Sequence, residues 1–245
     1  MKIHGMLHEA LKHAVQWQLI LNNPTDNITE PKPNKININV WDSDTAFKFL
    51  NEIKGSTLYI PAMIALTTGM RLGEIAALKW SDIDFNQKFI SVTHNFQRSG
   101  NNYKLTKPKT DKSIRNIAMM EMTLKELKNH KKDQLENKLK SHEHHDDLGF
   151  VCCWENGKPF RPPHISGLFR KSIKKLNYPK IRFHDLRHTH ATMLLSQGIN
   201  PKIVSERLGH STINITLDTY THVLPNMQRE AVKMLDILAD KEDTD

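Results

Sequence analysis

Two histidines, an arginine and a tyrosine near the C-terminal end have the types and spacing to act on a phosphate ester. His184 and Arg187 are three residues apart, so on a helix they would share one face. Near a helix start, unpaired backbone N–H groups and the helix dipole would favour a bound anion beside them. His210 directly follows Gly209, and Tyr220 comes ten residues later. These side chains fit a phosphate with a nucleophile beside it.

Arg71 offers a second guanidinium to the same phosphate. Cleavage of a phosphodiester builds negative charge on the nonbridging oxygens, and metal ions or fixed donors must offset it. We find no convincing carboxylate cluster at metal-binding spacing, whereas Arg71 and Arg187 could each present a planar fork of donors. Arg71 follows Gly69 at the junction of two predicted helices, so its side chain can point into a cleft. An isolated arginine would more often be a surface residue.

Three consecutive helical segments must position these groups. Gly198 would end the helix that carries the first histidine and arginine, and Pro201 suits the first turn of the next helix. Gly209 would end that second helix. Ser211 or Thr212 would cap a third, short segment that closes on the tyrosine.

Apolar periodicity along the rest of the chain predicts a mainly α fold with a small three-stranded antiparallel β-sheet, an α+β class. A first amphipathic helix is expected over residues 1–22, followed by an extended Pro-rich linker at 31–34. The other predicted helices cover residues 42–55, 57–69, 71–78, 123–140, 165–176 and 225–239. The predicted strands cover residues 89–93, 103–106 and 113–119.

Composition is compatible with a polyanionic partner. The chain has 245 residues and a formal net charge of +8, and basic residues are concentrated between Arg98 and Arg115. The two cysteines, Cys152 and Cys153, are adjacent, so no disulfide framework is expected and a reducing cytoplasm fits. No apolar run reaches membrane length and the N-terminus lacks a signal-peptide core, so we expect a cytoplasmic protein without a membrane partner.

The motifs H-D-L-R-H-T, L-G-H-S and T-Y-T-H, in this order, resemble those of the tyrosine recombinases, especially the integrases of phages and conjugative transposons. T-G-M-R-L-G-E and K-P-K-T-D-K-S-I-R complete the resemblance, which covers the chain from about Leu7 to Val223. It implies the catalytic-core fold of DNA breaking-rejoining enzymes, with no cofactor and no metal. The catalytic set that it implies is Arg71, Lys109, His184, Arg187, His210 and Tyr220.

The resemblance also implies the role of each residue. Arg71 and Arg187 would clamp the phosphate, and Tyr220 would attack phosphorus to form a 3′-phosphotyrosine. A phenol with a pKa near 10 is a weak nucleophile until a base or cations help it. His184 would hydrogen-bond the scissile phosphate or take the tyrosine's proton, and His210 would donate to a nonbridging oxygen.

Lys109, on a predicted β-hairpin turn before S-I-R, would be the general acid for the leaving 5′-oxygen. Lys107 and Lys112 are nearby rivals for this role, and each could equally contact the DNA backbone without base specificity.

Several neighbouring residues keep two interpretations. His188 and His190 are expected to pack near the site, without a catalytic role of their own. Glu74 could orient Arg71 or simply place a favourable charge at a helix start. The stretch 142–147, H-E-H-H-D-D, resembles a metal site but is better explained as a solvated loop. The adjacent cysteines are expected to be buried strand residues and not ligands.

Residues 1–34 are predicted to be the last helix of a truncated N-terminal DNA-clamping domain plus a linker, and residues 35–245 the catalytic domain with a C-terminal tail helix. The alternative is a short protein whose first helix packs on the main body. The predicted function is site-specific integration or excision of a mobile element or prophage, on double-stranded DNA. A homo-tetramer on DNA, a monomer alone, and accessory DNA-bending or directionality factors are expected by analogy, near the bacterial nucleoid.

Three rival functions remain at the sequence level. A type IB topoisomerase would share the chemistry but relax DNA with little site preference. A non-catalytic site-binding protein of the same fold would not need Tyr220. A metal-dependent nuclease would use the His-rich stretch at 142–147.

Overall fold

The computed structural model describes residues 2–29, 39–107, 114–140 and 148–220, together with positions 232 and 236. The chain divides into two compact units, Met1–Ile38 and Asn39–Asp245. Lys109, the stretch 142–147 and nearly all of the predicted tail helix lie outside the described residues. Val232 and Asp236, within that predicted tail, are helical.

The first unit is built on helix α1, Lys2–Gln16. It is shorter than the helix predicted over 1–22, because the chain turns at Gln18, whose φ is 58°. The segment after the turn folds back on the helix: the Thr25 hydroxyl lies 3.0 Å from His8 Nδ1, and Asn23 Nδ2 donates to the His8 carbonyl at 3.2 Å. The interpretation of this unit as the end of a DNA-clamping domain remains a prediction.

The second unit is mainly helical and contains five short strands in its described part. Its helices are α2 Ser43–Glu52, α3 Tyr59–Thr68, α4 Leu72–Ala77, α5 Glu121–Lys140, α6 Pro162–Lys175, α7 Asp185–Ser196, α8 Pro201–Leu208 and α9 Ile213–Tyr220. Its strands are β1 Ile83–Asp84, β2 Phe89–Val92, β3 Asn95–Ser99, β4 Asn102–Thr106 and β5 Arg115–Ala118. The predicted α+β class is confirmed.

The three-stranded antiparallel sheet has the order β1-β2-β5, with Ile90 opposite Ile83 on one side and Ile117 on the other. The strand predicted at 103–106 is not part of this sheet. It pairs instead with β3 in a separate two-stranded hairpin. That hairpin is mostly exposed along both strands, and its base lies on α4, where a Cβ at Gly73 would meet Asn95 Oδ1 at 2.1 Å.

Helix α3 forms the centre of the core, and all ten of its residues are buried. An aromatic group closes one side of this core: Trp41 contacts Phe49 and Phe169 at ring-centroid distances of 5.0 and 6.0 Å. Helix α6 begins three residues before its predicted start because Pro162 and Pro163 occupy its first turn, where proline needs no N–H partner.

A second, smaller core joins α7, α8 and α9. It consists of Ala191, Leu195, Val204, Leu208 and Tyr220, all of which are buried completely. This cluster fixes the three short helices that carry the predicted C-terminal site residues. In the part of the chain that the structure describes, no helix is long and apolar enough to cross a membrane.

Candidate active site

Arg71 is the N-cap of α4 and has extended backbone angles, so its side chain leaves the helix axis as predicted. Nη1 donates to Glu74 Oε1 at 2.9 Å, and Nη2 donates to the Gly209 carbonyl at 2.8 Å. Arg71 therefore connects the start of α4 to the end of α8, two elements far apart in sequence. Its side chain is 37% exposed, so it is the more accessible of the two predicted arginines.

Glu74 is buried between two arginines. It accepts from the Arg71 backbone N–H and from Arg115 Nη2, each at 2.9 Å, in addition to Arg71 Nη1. Burial alone would raise the pKa of the Glu74 carboxyl, but the hydrogen bonds and charge of Arg115, followed by the charge of Arg71, hold it below the ordinary value. Glu74 thus both orients Arg71 and caps the first turn of α4.

Arg115 is a residue of this site that the sequence interpretation did not single out. Its side chain is only 7% exposed, and Nε donates to the Arg207 carbonyl at 2.8 Å. Through Glu74 and Arg207 it ties the sheet to α4 and α8. The sequence signal that could have identified it is the S-I-R motif, which ends in this arginine.

Arg187 is almost completely buried in α7, and Nη1 donates to the Gly69 carbonyl at 2.7 Å. Gly69 ends α3 in the left-handed region with φ 69°, and a Cβ there would lie 2.7 Å from both His190 Cδ2 and Leu208 Cδ2. Only glycine allows α3, α7 and α8 to meet this closely. Burial, followed by repulsion from Arg71, lowers the pKa of Arg187.

His184 is the N-cap of α7, and its ring packs edge-to-face on His188 with centroids 5.0 Å apart. Burial, and then the positive charge of Arg187, lower the pKa of His184. The imidazole is therefore biased toward its neutral form beside the arginine.

His210 follows Gly209, whose φ of 67° ends α8 and turns the chain toward α9. Its Nδ1 lies 2.8 Å from the Thr216 hydroxyl. If that hydroxyl donates, Nε2 carries the proton and can donate to a phosphate oxygen, as the predicted role requires. Burial, and then the charges of Arg187 and Arg71, lower the pKa of His210 to about 3, so the imidazole is neutral at physiological pH.

Tyr220 is the last residue of α9, and its side chain is fully buried. The hydroxyl lies 2.7 Å from Nδ1 of His188. Burial raises the pKa of the phenol, and the charge of Arg187 opposes that effect. The tyrosine is therefore protonated, and the positive charge of Arg187 acts on its hydroxyl.

The structure brings five of the six predicted residues into one electrostatic cluster. The pKa of His210 responds to both Arg71 and Arg187, and the pKa of Arg187 responds to Arg71 and Tyr220. His184 belongs to the same cluster, since its pKa responds to both arginines. The sixth residue, Lys109, lies outside the described residues.

His188 and His190, both expected only to pack near the site, have different roles in the structure. His190 is buried, with Nδ1 2.8 Å from the Leu66 carbonyl and Nε2 accepting from Arg207 Nε at 3.0 Å, which is a packing role. His188 instead contacts the phenol of Tyr220. It lies one helical turn after His184, a spacing that placed both rings on one face of α7.

Within the described ranges, no group of three or more His, Cys, Asp or Glu side chains could hold a metal ion. Cys152 is buried and Cys153 is partly buried, and burial raises the pKa of both thiols. Phe150 and Cys153 form single β-bridges to Lys79 and Pro159, in place of the predicted strand.

Comparison with known proteins gives a consistent result. Residues 42–227 match the family model described as the phage integrase family. The chain is 35% identical over 209 residues to a XerC-like tyrosine recombinase of Caldanaerobacter subterraneus subsp. tengcongensis, covering 80% of this chain and 54% of that protein. It is 32% identical over 229 residues to the ICEBs1 integrase of Bacillus subtilis, covering 92% of this chain and 61% of that protein.

Solved structures agree with the sequence comparison. The Tn1549 transposon integrase, in complex with a circular intermediate DNA, superposes with a TM-score of 0.77 at 25% identity, covering 96% of this chain and 78% of that one. Lambda integrase shares the fold, with a TM-score of 0.60 at 19% identity over 89% of this chain and 57% of that one. The chain thus spans little more than half the length of the two curated relatives above.

Proposed function

Because the chain belongs to the phage integrase family of tyrosine recombinases, we propose that it cleaves and rejoins DNA strands at specific sites through a 3′-phosphotyrosine. One observation carries this proposal. The guanidinium groups of Arg71 and Arg187 each donate one hydrogen bond to the carbonyl of a glycine that ends a helix. Their charges act on the imidazoles of His184 and His210 and on the phenol of Tyr220. Such fixed donors suit the charge that develops on a phosphodiester during cleavage.

The proposed reaction is a pair of in-line displacements. The Tyr220 oxygen attacks phosphorus as its proton passes to an imidazole of the site, the P–O5′ bond breaks, and the leaving 5′-oxygen takes a proton from Lys109. The 5′-hydroxyl of another strand then attacks the phosphotyrosine, releases Tyr220 and reseals the DNA. Because the covalent link conserves the energy of the broken bond, the cycle needs no ATP.

The two arginines would neutralise the nonbridging oxygens in both steps. The Arg71 side chain is partly exposed and the Arg187 side chain is buried, so a phosphate would be held between one donor near the surface and one donor inside the site. His184 would hydrogen-bond the same phosphate, and His210 would donate through Nε2. This donor set carries the charge without a metal ion, and we propose a metal-independent reaction.

The biological partner that we propose is double-stranded DNA at the ends or attachment sites of a phage or conjugative element. The net charge of +8 and the similarity to an integrase solved with DNA support this partner. We further propose assembly from a monomer into a tetramer on DNA, assistance by accessory bending or directionality factors, and a cytoplasmic, nucleoid-associated location. Residues 1–34 would be the end of a DNA-clamping domain.

The experiment is covalent trapping on nicked suicide duplexes copied from the junctions of the element that encodes the chain. We expect a protein–DNA adduct that forms in EDTA without ATP and disappears in Tyr220→Phe. The matched control is Tyr59→Phe, a buried tyrosine of α3 in the main core, which should still form the adduct. Adduct formation by Tyr220→Phe would contradict the nucleophile.

These duplexes, together with two-site substrates and supercoiled plasmid, separate the rival functions. Exchange between two defined sites supports a recombinase, whereas relaxation of any plasmid without exchange indicates a type IB topoisomerase. Site binding with no adduct indicates a binding protein. Cleavage that EDTA abolishes indicates a metal-dependent nuclease.

A further inference from the structure

Among the described residues, His188 is the side chain that hydrogen-bonds the reactive oxygen of the proposed nucleophile. Its Nδ1 lies 2.7 Å from the Tyr220 hydroxyl, and the two rings are 5.8 Å apart between centroids. His184, predicted either to hydrogen-bond the phosphate or to take the tyrosine's proton, packs its ring edge-to-face on His188. The order of contacts is therefore His184, then His188, then the phenol.

The surroundings of His188 keep its imidazole neutral. Burial, followed by His184, lowers the pKa of His188 to about 4, with the acidic Asp185 acting in the opposite direction. A neutral imidazole has one nitrogen that can only accept a hydrogen bond. The titratable and charged groups that act on His188 come from α7, the turn before it, the end of α8 and α9: Arg182, His184, Asp185, Arg187, His210 and Tyr220.

We propose, resting on the recombinase function above, that His188 is the catalytic base that takes the proton of Tyr220. The phenol donates to Nδ1 in the resting site. As the oxygen attacks, its O–H bond breaks, the proton moves to Nδ1, and the electron pair forms the P–O bond. The P–O5′ bond breaks, and the 5′-oxygen is protonated by the general acid assigned to Lys109. In the rejoining step, His188 returns its proton to the released phenolate oxygen.

A bound phosphodiester makes this base stronger at the moment of use. Its negative charge would lie beside Arg187, one of the cations that disfavour protonation of His188. Substrate binding therefore raises the proton affinity of the imidazole. It also raises the proton affinity of the adjacent phenolate, but the charge of Arg187 opposes that rise because it lowers the pKa of Tyr220. The role of His184 is then confined to the phosphate itself.

The test compares nucleophiles of different acidity. One protein keeps the natural Tyr220, and the other carries a ring-fluorinated tyrosine at position 220. The fluorinated phenol is more acidic and depends less on a base. Each is combined with His188→Asn, which keeps a hydrogen-bonding group near the phenol but cannot accept its proton. Single-turnover rates of adduct formation are measured on the nicked duplexes. The matched control is His184→Asn, one turn away on the same helix.

We expect His188→Asn to slow adduct formation at least about 100-fold with tyrosine, as loss of a general base does, and under about 10-fold with the fluorinated nucleophile. His184→Asn should slow both nucleophiles by the same factor. An equal loss for both nucleophiles in His188→Asn, or a loss in His184→Asn that shrinks with fluorination, would overturn the assignment. Absence of any adduct in the wild-type chain would instead refute the recombinase function itself.

A second measurement needs neither DNA nor a variant. In wild-type protein with 15N-labelled histidine, we expect Nδ1 of His188 to be unprotonated and Nε2 to carry the hydrogen. The opposite tautomer, with Nδ1 donating to the phenol oxygen, would also overturn the proposal.

Discussion

Replacing Glu74 by glutamine should destabilise the protein far more than the same substitution at the surface. The Glu74 carboxylate is 5% exposed and pairs with Arg115, which is 7% exposed, while it also accepts from the backbone and side chain of Arg71. Removing one partner of a buried ion pair leaves an uncompensated charge and costs about 3–5 kcal/mol. Glutamine keeps the shape and one acceptor, so we expect the lower end, about 3 kcal/mol.

The matched control is Glu121→Gln. Glu121 pairs with Lys88 at the surface, where both side chains are largely exposed, and such pairs contribute about 0–1 kcal/mol. For a domain of this size, 1 kcal/mol corresponds to roughly 2–4 °C in Tm, so Glu74→Gln should lower Tm by roughly 6–12 °C. Thermal unfolding followed by circular dichroism at pH 7 measures both variants. Equal, small shifts would refute the view that Glu74 holds the two arginines in place.

Three further outcomes follow from the contacts of the site. Gly69→Ala should destabilise by about 1–3 kcal/mol more than Gly55→Ala in urea unfolding, since both have positive φ but only the first meets neighbouring side chains; similar losses would be contrary. His190, buried with its pKa lowered to about 3, should cost stability as pH falls below about 6.5, where the unfolded histidine binds a proton; because His188 and His210 add slopes of their own, we expect His190→Asn to reduce the pH slope of stability in urea titrations by about 1.4 kcal/mol per pH unit between pH 6 and 5, and an unchanged slope would be contrary. Arg187→Lys should slow adduct formation at least about 100-fold, because an ammonium cannot donate to the Gly69 carbonyl and also make paired hydrogen bonds to a phosphate. Unchanged rates would contradict the proposal that Arg187 binds the phosphate.

Local signals were sufficient to predict the helices of the site. Gly69 and Gly209 have positive φ at helix ends, and Pro201 lies in the first turn of α8, as their residue types indicated. These positions obey backbone rules that need no tertiary information. The side chain of Arg71 points away from the face of its helix because Arg71 is the N-cap of α4.

The missed features depend on contacts between distant segments. The β3 strand, Asn95–Ser99, has the polar sequence N-F-Q-R-S, which carries no apolar alternation, and it is held by pairing with β4 and by the close approach to Gly73. The Glu74–Arg115 pair joins residues 41 apart. The His188–Tyr220 contact exists only because Tyr220, at the end of α9, packs in the small core with residues of α7 and α8, so the sequence could place His188 on the right face but not against the phenol.

The most direct measurement of the central claim is the identity of the residue that carries the DNA. The trapped adduct is digested with nuclease and protease, and the peptide bearing the residual nucleotide is sequenced by mass spectrometry. We predict a single modified residue, Tyr220, joined through a 3′-phosphate that leaves a free 5′-hydroxyl on the DNA. Attachment to another residue, or through a 5′-phosphate, would contradict the site described above.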